Sequence, residues 1–117
     1  MPERSAFTGN QDGTPTEHYY STLFHEVTHW TGHKSRLDRL TDRSREGYAF
    51  EELIAELGAA YQCRIFSIDL EPRADHAKYL GGWLTALKND KKFIFKAAAS
   101  AQKAIEFCDS LQVSKAA

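Results

Sequence analysis

The sequence predicts a mainly α fold in one domain, with any β-sheet small or truncated at the N-terminus. Apolar residues recur at three- and four-residue spacing in four separate segments, the signature of amphipathic helices. A helix-start signal stands before the first of them, and no run alternates as a strand would, apart from an extended piece expected near Arg4–Phe7. The length, 117 residues, is close to the commonest domain size, and 42% hydrophobic residues are enough for one core.

The first helix is expected over about 15–31. Thr14-Pro15-Thr16-Glu17 reads as a capping box, with Thr14 as N-cap, Pro15 at the first helical position and Glu17 reaching back. Tyr20, Leu23, Phe24, Val27 and Trp30 form an apolar stripe for the core, and Gly32 is a natural stop. A second helix, about 48–66, carries Phe50, Leu53, Ile54, Leu57 and Tyr61 on one face, while Gly58, Ala59 and Ala60 predict close packing against another helix. A third, about 73–88, is marked by Ala77, Leu80, Leu84 and Leu87, with Gly81-Gly82 weakening its middle or admitting a close neighbour. After a turn at Asn89-Asp90, Ile94, Ala98, Ala101, Ile105 and Cys108 mark a final helix over about 91–111, and the end at Lys115-Ala116-Ala117 frays. Trp30 and Trp83 read as core aromatics.

The chemistry of the chain is concentrated in His25-Glu26-Val27-Thr28-His29. A helix rises ~1.5 Å per residue and turns every ~3.6, so His25 and His29 share a face about 6 Å apart along the axis. Two ring nitrogens at that spacing can meet at one Zn²⁺. Glu26 lies roughly 100° round the helix, poorly placed to coordinate but near enough to act as a general base on water. Two ligands plus a base is the zincin arrangement.

A catalytic zinc site needs a third protein ligand and an open fourth position. One zincin class continues with Gly-x-x-His, and here Gly32 is present but Ser35 stands where the third histidine should be, which argues against that class. His33 follows Gly32, where the helix ends, and is either a ligand or a group that contacts substrate or another ligand. The second helix offers more. Glu52 and Glu56 stack at i and i+4 beside its apolar face, where two like charges repel and partial burial is costly. A divalent cation and a histidine N–H relieve both problems. The economical assignment makes Glu52 the third ligand and Glu56 the acceptor that orients a ligand histidine, with the reverse order open.

Three blocks of sequence carry a resemblance. His25-Glu26-x-x-His29-Trp30-Thr31-Gly32-His33-x-Ser35-Arg36-Leu37-Asp38-Arg39, then Glu51-Glu52-Leu53-x-Ala55-Glu56-Leu57-Gly58-Ala59-Ala60, then Tyr79-Leu80-x-Gly82-Trp83-Leu84-x-Ala86-Leu87-Lys88-x-Asp90 together resemble the C-terminal domain of ArdC-type antirestriction proteins, also described as TraC-like plasmid primases. The match runs from about Pro2 to Leu111. It implies a zincin-like metallopeptidase domain with a gluzincin-type helical core, carried by conjugative plasmids and other mobile elements. It also implies that single-stranded DNA is bound by a preceding N-terminal domain, of which this chain has no counterpart. The implied site has His25 and His29 as ligands, Glu26 as base and a glutamate of the Glu52/Glu56 pair as third ligand. The spacing of that pair is similar to the thermolysin-like glutamate helix, which favours Glu52, although Glu56 replaces the aspartate seen there.

Other classes are disfavoured. Net charge is −1, without the basic footprint of a nucleic-acid-binding module. Residues 1–60 carry six basic and ten acidic side chains and residues 61–117 nine and six, so the two parts stand at −4 and +3. The densest basic stretch, Lys88 to Lys96, reads as a helix start with a solvated rim, and Arg36, Arg39, Arg43 and Arg45 read as pairing with Asp38, Asp42 and Glu46. Cys63 and Cys108 are expected to be reduced and buried. No apolar run is long enough for a membrane span and Met1-Pro2-Glu3-Arg4 does not open a signal peptide, so a cytoplasmic location is expected.

The expected reaction is hydrolysis of a peptide bond in a protein or peptide substrate. One Zn²⁺ held by His25, His29 and Glu52 would acidify a water, Glu26 would move its proton to the leaving amine, and Tyr48, His33 or His76 would stabilise the oxyanion. The competing expectation is a non-catalytic antirestriction or single-stranded-DNA-associated module in which the metal is structural or absent. Zincins normally set an edge strand beside the metal for the substrate to pair with. That strand is expected to be missing or cut short at Met1, leaving the helical part of a larger domain.

Overall fold

A computed structural model of the chain describes residues 1–10, 13–68, 81–83, 85, 87 and 91–112. Among the described residues three long helices form the frame: α1 over Pro15–Thr31, α2 over Arg45–Ile65 and α3 over Lys92–Ser110. Among the described residues there is no strand, only an isolated antiparallel bridge between Asn10 and Gly13. The piece expected to be extended near Arg4–Phe7 is a short 3-10 turn at Arg4–Ala6. It folds back because the Arg4 guanidinium lies over the rings of Tyr19 and Tyr20, 5.2 and 5.5 Å from their centroids.

The start of α1 follows from the capping box. Thr14 N donates to Glu17 Oε1 at 2.8 Å and Glu17 N donates to Thr14 Oγ1 at 3.2 Å, satisfying two of the orphan donors of the first turn. Its end at Gly32 has a different cause from the one expected. Gly32 sits in the right-handed region with φ −78°, so no left-handed cap is involved. Space is tight there, since a Cβ would come within 3.1 Å of both Arg39 Nη2 and Leu40 Cγ, which would have to give by a few tenths of an ångström. α2 begins three residues before its expected start, where the Ser44 hydroxyl accepts from Gly47 N at 3.1 Å. It closes in a Schellman turn, with Ser67 left-handed at φ 56° and Ile68 N donating to Cys63 O at 2.8 Å.

α2 lies between α1 and α3 and packs extensively on both. On its α3 side Ala49, Leu53 and Ile54 meet Ala97, Ala101 and Leu87, with Phe50, Leu57, Trp83 and Phe93 partly buried around them. The buried line of α3 is Ala97, Ala101, Ala104 and Ile105, while Ile94 stands 37% exposed. The expected stripe through Ile94 and Ala98 is therefore rotated, because alanines let the two helices approach where isoleucine would hold them apart. Tyr61, expected on the apolar face of α2, is exposed. The expected helix over about 73–88 falls mostly outside the described residues, along with Ala77, Leu80, Leu84, the turn at Asn89-Asp90 and the end at Lys115–Ala117. Residues 81–83 and 85 are helical, and a Cβ at Gly81 or Gly82 would meet nothing within 4 Å, so no close neighbour among the described residues requires those glycines.

The apolar stripe expected to bury α1 does not do so. Tyr20, Leu23, Phe24 and Val27 are half-buried and Trp30 is 46% exposed, its face covered by the Arg36 guanidinium 4.0 Å from the ring centroid. The buried residues of α1 are polar: His18, Ser21, Thr28 and Thr31. The two threonine hydroxyls are satisfied inside the helix, Thr28 Oγ1 donating to Phe24 O at 2.7 Å and Thr31 Oγ1 to Thr28 O at 2.6 Å. α1 approaches α2 closely at Gly58, where a Cβ would fall 2.5 Å from Thr28 Oγ1. Neither cysteine is in a disulfide. Cys63 is buried, whereas Cys108 is only half-buried, contrary to expectation, with burial pushing its thiol pKa up.

Candidate metal centre

The tight seam at Thr28 and Gly58 brings the polar face of α1 against the acidic face of α2. His25 and His29 turn their Nε2 atoms toward each other, 3.2 Å apart, with the rings edge to face at 4.8 Å. Glu52 spans the pair: Oε2 is 3.3 Å from His25 Nε2 and Oε1 is 3.1 Å from His29 Nε2. Each outer nitrogen has its own carboxylate. His25 Nδ1 lies 3.2 Å from Glu56 Oε1, and His29 Nδ1 lies 2.9 Å from Glu51 Oε2. A protonated Nδ1 that donates outward fixes the tautomer in which Nε2 offers its lone pair inward.

His25, His29 and Glu52 can each offer one ligand atom with all three atoms within 4.8 Å of one another. Two imidazoles and a carboxylate, each partly exposed, are a donor set suited to a divalent cation with a position left open. The charges agree. Among the described residues, the carboxylates of Glu51, Glu52 and Glu56 gather around the two histidines and Arg39, with side-chain exposures between 12% and 23% across the group. Among these described groups, neutral histidines would leave carboxylate charge in excess in a half-buried space, which is costly. Without metal the deficit is met by protons. Burial, the largest single influence on His25, would lower its pKa, but hydrogen bonds and charge from Glu52 and Glu56 outweigh it and raise the group to about 10. Burial likewise opposes the shift at His29, where Glu51 and Glu52 prevail and raise it to about 9. Hydrogen bonds from His25 and His29 hold Glu52 down at about 2. Protons on the histidines and a bound cation answer the same electrostatic demand.

The remaining expected residues are placed as follows. Glu26 is exposed and lines a cleft of about 500 Å³ with Val27, Trp30, Cys108, Leu111 and Gln112. Glu56 sits on the outer nitrogen of His25, not among the inner donors. His33 is exposed beyond the end of α1, its Nδ1 accepting from Ser35 N at 3.1 Å and 2.8 Å from Ser35 Oγ. Tyr48 is 58% exposed and packs its ring edgewise on Trp83 at 5.5 Å. His76 lies outside the described residues.

Two residues of the site escape the sequence reading. Glu51 holds His29, and Arg39 holds Glu51, donating from Nε to Oε1 at 3.0 Å and from Nη2 to Oε2 at 3.1 Å. Burial alone would raise the Glu51 pKa, but the hydrogen bonds of His29 and Arg39 lower it. Arg39 thus pairs with Glu51 on α2 and not with the acids beside it in sequence. A signal for Glu51 was present: two ligand histidines each need an acceptor, so one carboxylate ligand implies three carboxylates, and α2 carries Glu51 on the turn that also bears Glu52 and Glu56. No comparable signal marks Arg39.

Comparisons with known proteins bear on the family of the chain. Residues 1–100 match the family model described as "Zincin-like metallopeptidase". Two proteins named DNA primase TraC, both from Escherichia coli, are 45% and 41% identical over 92% and 88% of this chain, but the chain covers only 10% and 7% of their length. An uncharacterised protein of Sinorhizobium fredii, y4eC, is 42% identical over 80% of the chain, which spans 31% of it. Among solved structures, the antirestriction ArdC protein from plasmid R388 superposes with a TM-score of 0.63 in its Mn(II)-bound form and 0.60 in its metal-free form, at 52% identity. These cover 81% and 80% of this chain and 36% and 34% of ArdC. The chain therefore spans about a third or less of each relative's length. With its histidine pair and acidic helix meeting at one point, and 100 of 117 residues matched, the chain belongs to the zincin-like metallopeptidase family.

Proposed function

We propose that this chain is a metallopeptidase domain that holds one divalent ion, Zn²⁺ by preference, on His25, His29 and Glu52 and hydrolyses peptide bonds of a protein substrate. The observation that carries the reading is the convergence of His25 Nε2, His29 Nε2 and a Glu52 oxygen, with each outer nitrogen on a carboxylate of its own. The Mn(II)-bound form of ArdC, 52% identical where it aligns, supports a divalent ion here. When bound, that ion supplies Lewis-acid polarisation and acidifies water.

The protein's own part is orientation and proton transfer. Glu56 and Glu51 keep the two imidazoles in the donor tautomer. The Glu26 carboxylate takes the proton of the attacking water and returns it to the leaving amine. Glu26 also lines a cleft walled by Val27, Trp30 and Leu111, with none of His25, His29 or Glu52 in its lining, which suits an apolar side chain of the substrate. In a longer protein of this kind, contact with single-stranded DNA falls to other domains. Among the described residues no helix is long and apolar enough to cross a membrane.

The test pairs metal content with hydrolysis. Mass spectrometry of the purified chain should find about one zinc, lost in His29→Ala. Glu26→Gln should keep the metal and lose hydrolysis of an unfolded protein such as casein by at least the ~10²-fold that a general base contributes. A chain that binds zinc but cleaves nothing, with Glu26→Gln indistinguishable from it, would mean a structural metal in a non-catalytic antirestriction module.

A further inference from the structure

Arg39 touches none of the three inner donors, yet its guanidinium makes four hydrogen bonds at 12% side-chain exposure. Two go to Glu51. The others tie it to the last turn of α1, Nη1 donating to Thr31 Oγ1 at 2.9 Å and Nη2 to Thr28 O at 2.8 Å. A planar fork with four partners on two helices has no alternative rotamer that keeps them, so the group is rigid where an exposed ion pair would be loose.

The connection from α1 to α2 is shaped to deliver it. After Gly32 the chain turns through Asp38, left-handed at φ 52°, and comes back so that Arg39 N donates to Gly32 O at 2.8 Å. A Cβ at residue 32 would stand 3.1 Å from Nη2, so a side chain there would crowd the guanidinium. The carboxylate so fixed is the one on His29, and Glu51 Oε2 receives both Arg39 Nη2 and His29 Nδ1.

We infer that Arg39 is a positioning residue of the metal centre: through Glu51 it sets the orientation and tautomer of His29, and the Gly32–Arg39 turn exists to seat it. The inference rests on the reading of His25, His29 and Glu52 as metal ligands. Without Arg39, Glu51 is free to rotate off His29 Nδ1, and His29 Nε2 no longer aims at a fixed point. Lysine cannot replace it, since an ammonium has no planar fork to hold both Glu51 oxygens and the two threonine acceptors at once.

Zn²⁺ affinity, measured by competition with a chromophoric chelator, and the visible spectrum of the Co²⁺ form should be compared for the native chain, R39A, R39K, E51Q, R39A/E51Q and H29A, with melts in chelator alongside. R39A and E51Q should each weaken Zn²⁺ by roughly 10- to 100-fold and alter the Co²⁺ spectrum. R39K should recover only part, and the double variant should be no weaker than E51Q alone, because both changes break one path. A purely structural Arg39 would lower the metal-free melting temperature and leave the affinity and spectrum of the folded protein untouched; that result, or additive losses in the double variant, overturns the inference. Should R39A not fold, native affinity in E51Q or R39K overturns it equally. If H29A loses zinc while R39A keeps it, only the role of Arg39 fails. If the native chain binds no zinc, the metal-centre reading fails first and this inference with it.

Discussion

The two sides of α2 hold opposite kinds of interior. Toward α3 the buried cluster is apolar, Ala49, Leu53 and Ile54 meeting Ala97, Ala101 and Leu87. Toward α1 the seam is made of Thr28, Thr31 and Gly58 with half-buried His25, His29, Glu51, Glu52, Glu56 and Arg39. The apolar side stabilises under all conditions in proportion to the area it removes from water. The polar side stabilises only while its charges balance, and that depends on protons or metal. One helix thus joins a seam that holds the fold to a seam that does chemistry.

The largest effect expected follows from that dependence. In the metal-free chain His25 and His29 are raised to about 10 and about 9 from an ordinary 6.5, so their contribution is complete below about 6.5 and is lost as pH rises through 9 to 10. Glu52 is lowered from 4.5 to about 2, so its contribution is complete above about 4.5 and is lost as pH falls through 2. Stability in chelator should therefore be greatest between about pH 4.5 and 6.5 and fall on the alkaline side. Zinc affinity should run the other way and rise with pH, because metal displaces those protons. Melting temperatures in EDTA that stay flat from pH 6.5 to 10 would dissolve the contrast between the two seams.

On the apolar side the sharpest cut is Leu53→Ala. Leu53 is 1% exposed within the core cluster, and its truncation should cost about 2–5 kcal/mol by urea unfolding. Zinc affinity of the folded fraction should stay at the native value, since Leu53 faces away from the donors. A large loss of affinity would show that the two seams are coupled through α2.

The same contrast explains which features were legible in the sequence. The capping box at Thr14 and Glu17, the position of α2 and the apolar half of its surface follow from spacing alone, as do His25, His29, Glu52 and Glu56 as a group, because each pattern repeats along one helix. The buried face of α1 does not. Periodicity finds the apolar stripe, and Tyr20, Leu23, Phe24, Val27 and Trp30 form one, but the face that packs on α2 is the polar one, where small hydroxyls permit close approach and carboxylates need histidines. Arg39 and Glu51 come together through a turn at Asp38 that no helical pattern encodes, and the nearer acids in sequence offered a simpler pairing. The features that were missed depend on how elements meet in space.

Gly58→Ala tests where the two seams join. A Cβ at residue 58 would fall 2.5 Å from Thr28 Oγ1 and 2.8 Å from Thr28 Cγ2, so α1 must move off α2 or Thr28 must leave its rotamer. Thr28 has little room to turn, being 4% exposed and bonded to Phe24 O. Overpacking at such a contact costs about 1–3 kcal/mol, somewhat less than the loss expected of Leu53→Ala, and alanine's better helix propensity returns up to ~1 kcal/mol of it. The effect on metal should be out of proportion to this small loss. A shift of α1 by even a fraction of an ångström draws His25 and His29 away from Glu52, Glu56 and Glu51 together, because all four carboxylate contacts cross this one seam. Leu53→Ala should therefore lower stability more and zinc affinity less, and Gly58→Ala the reverse. If isothermal titration finds native zinc affinity in Gly58→Ala, the spacing of α1 and α2 is not what sets the donor geometry, and the flexibility of the glutamate side chains must absorb the change.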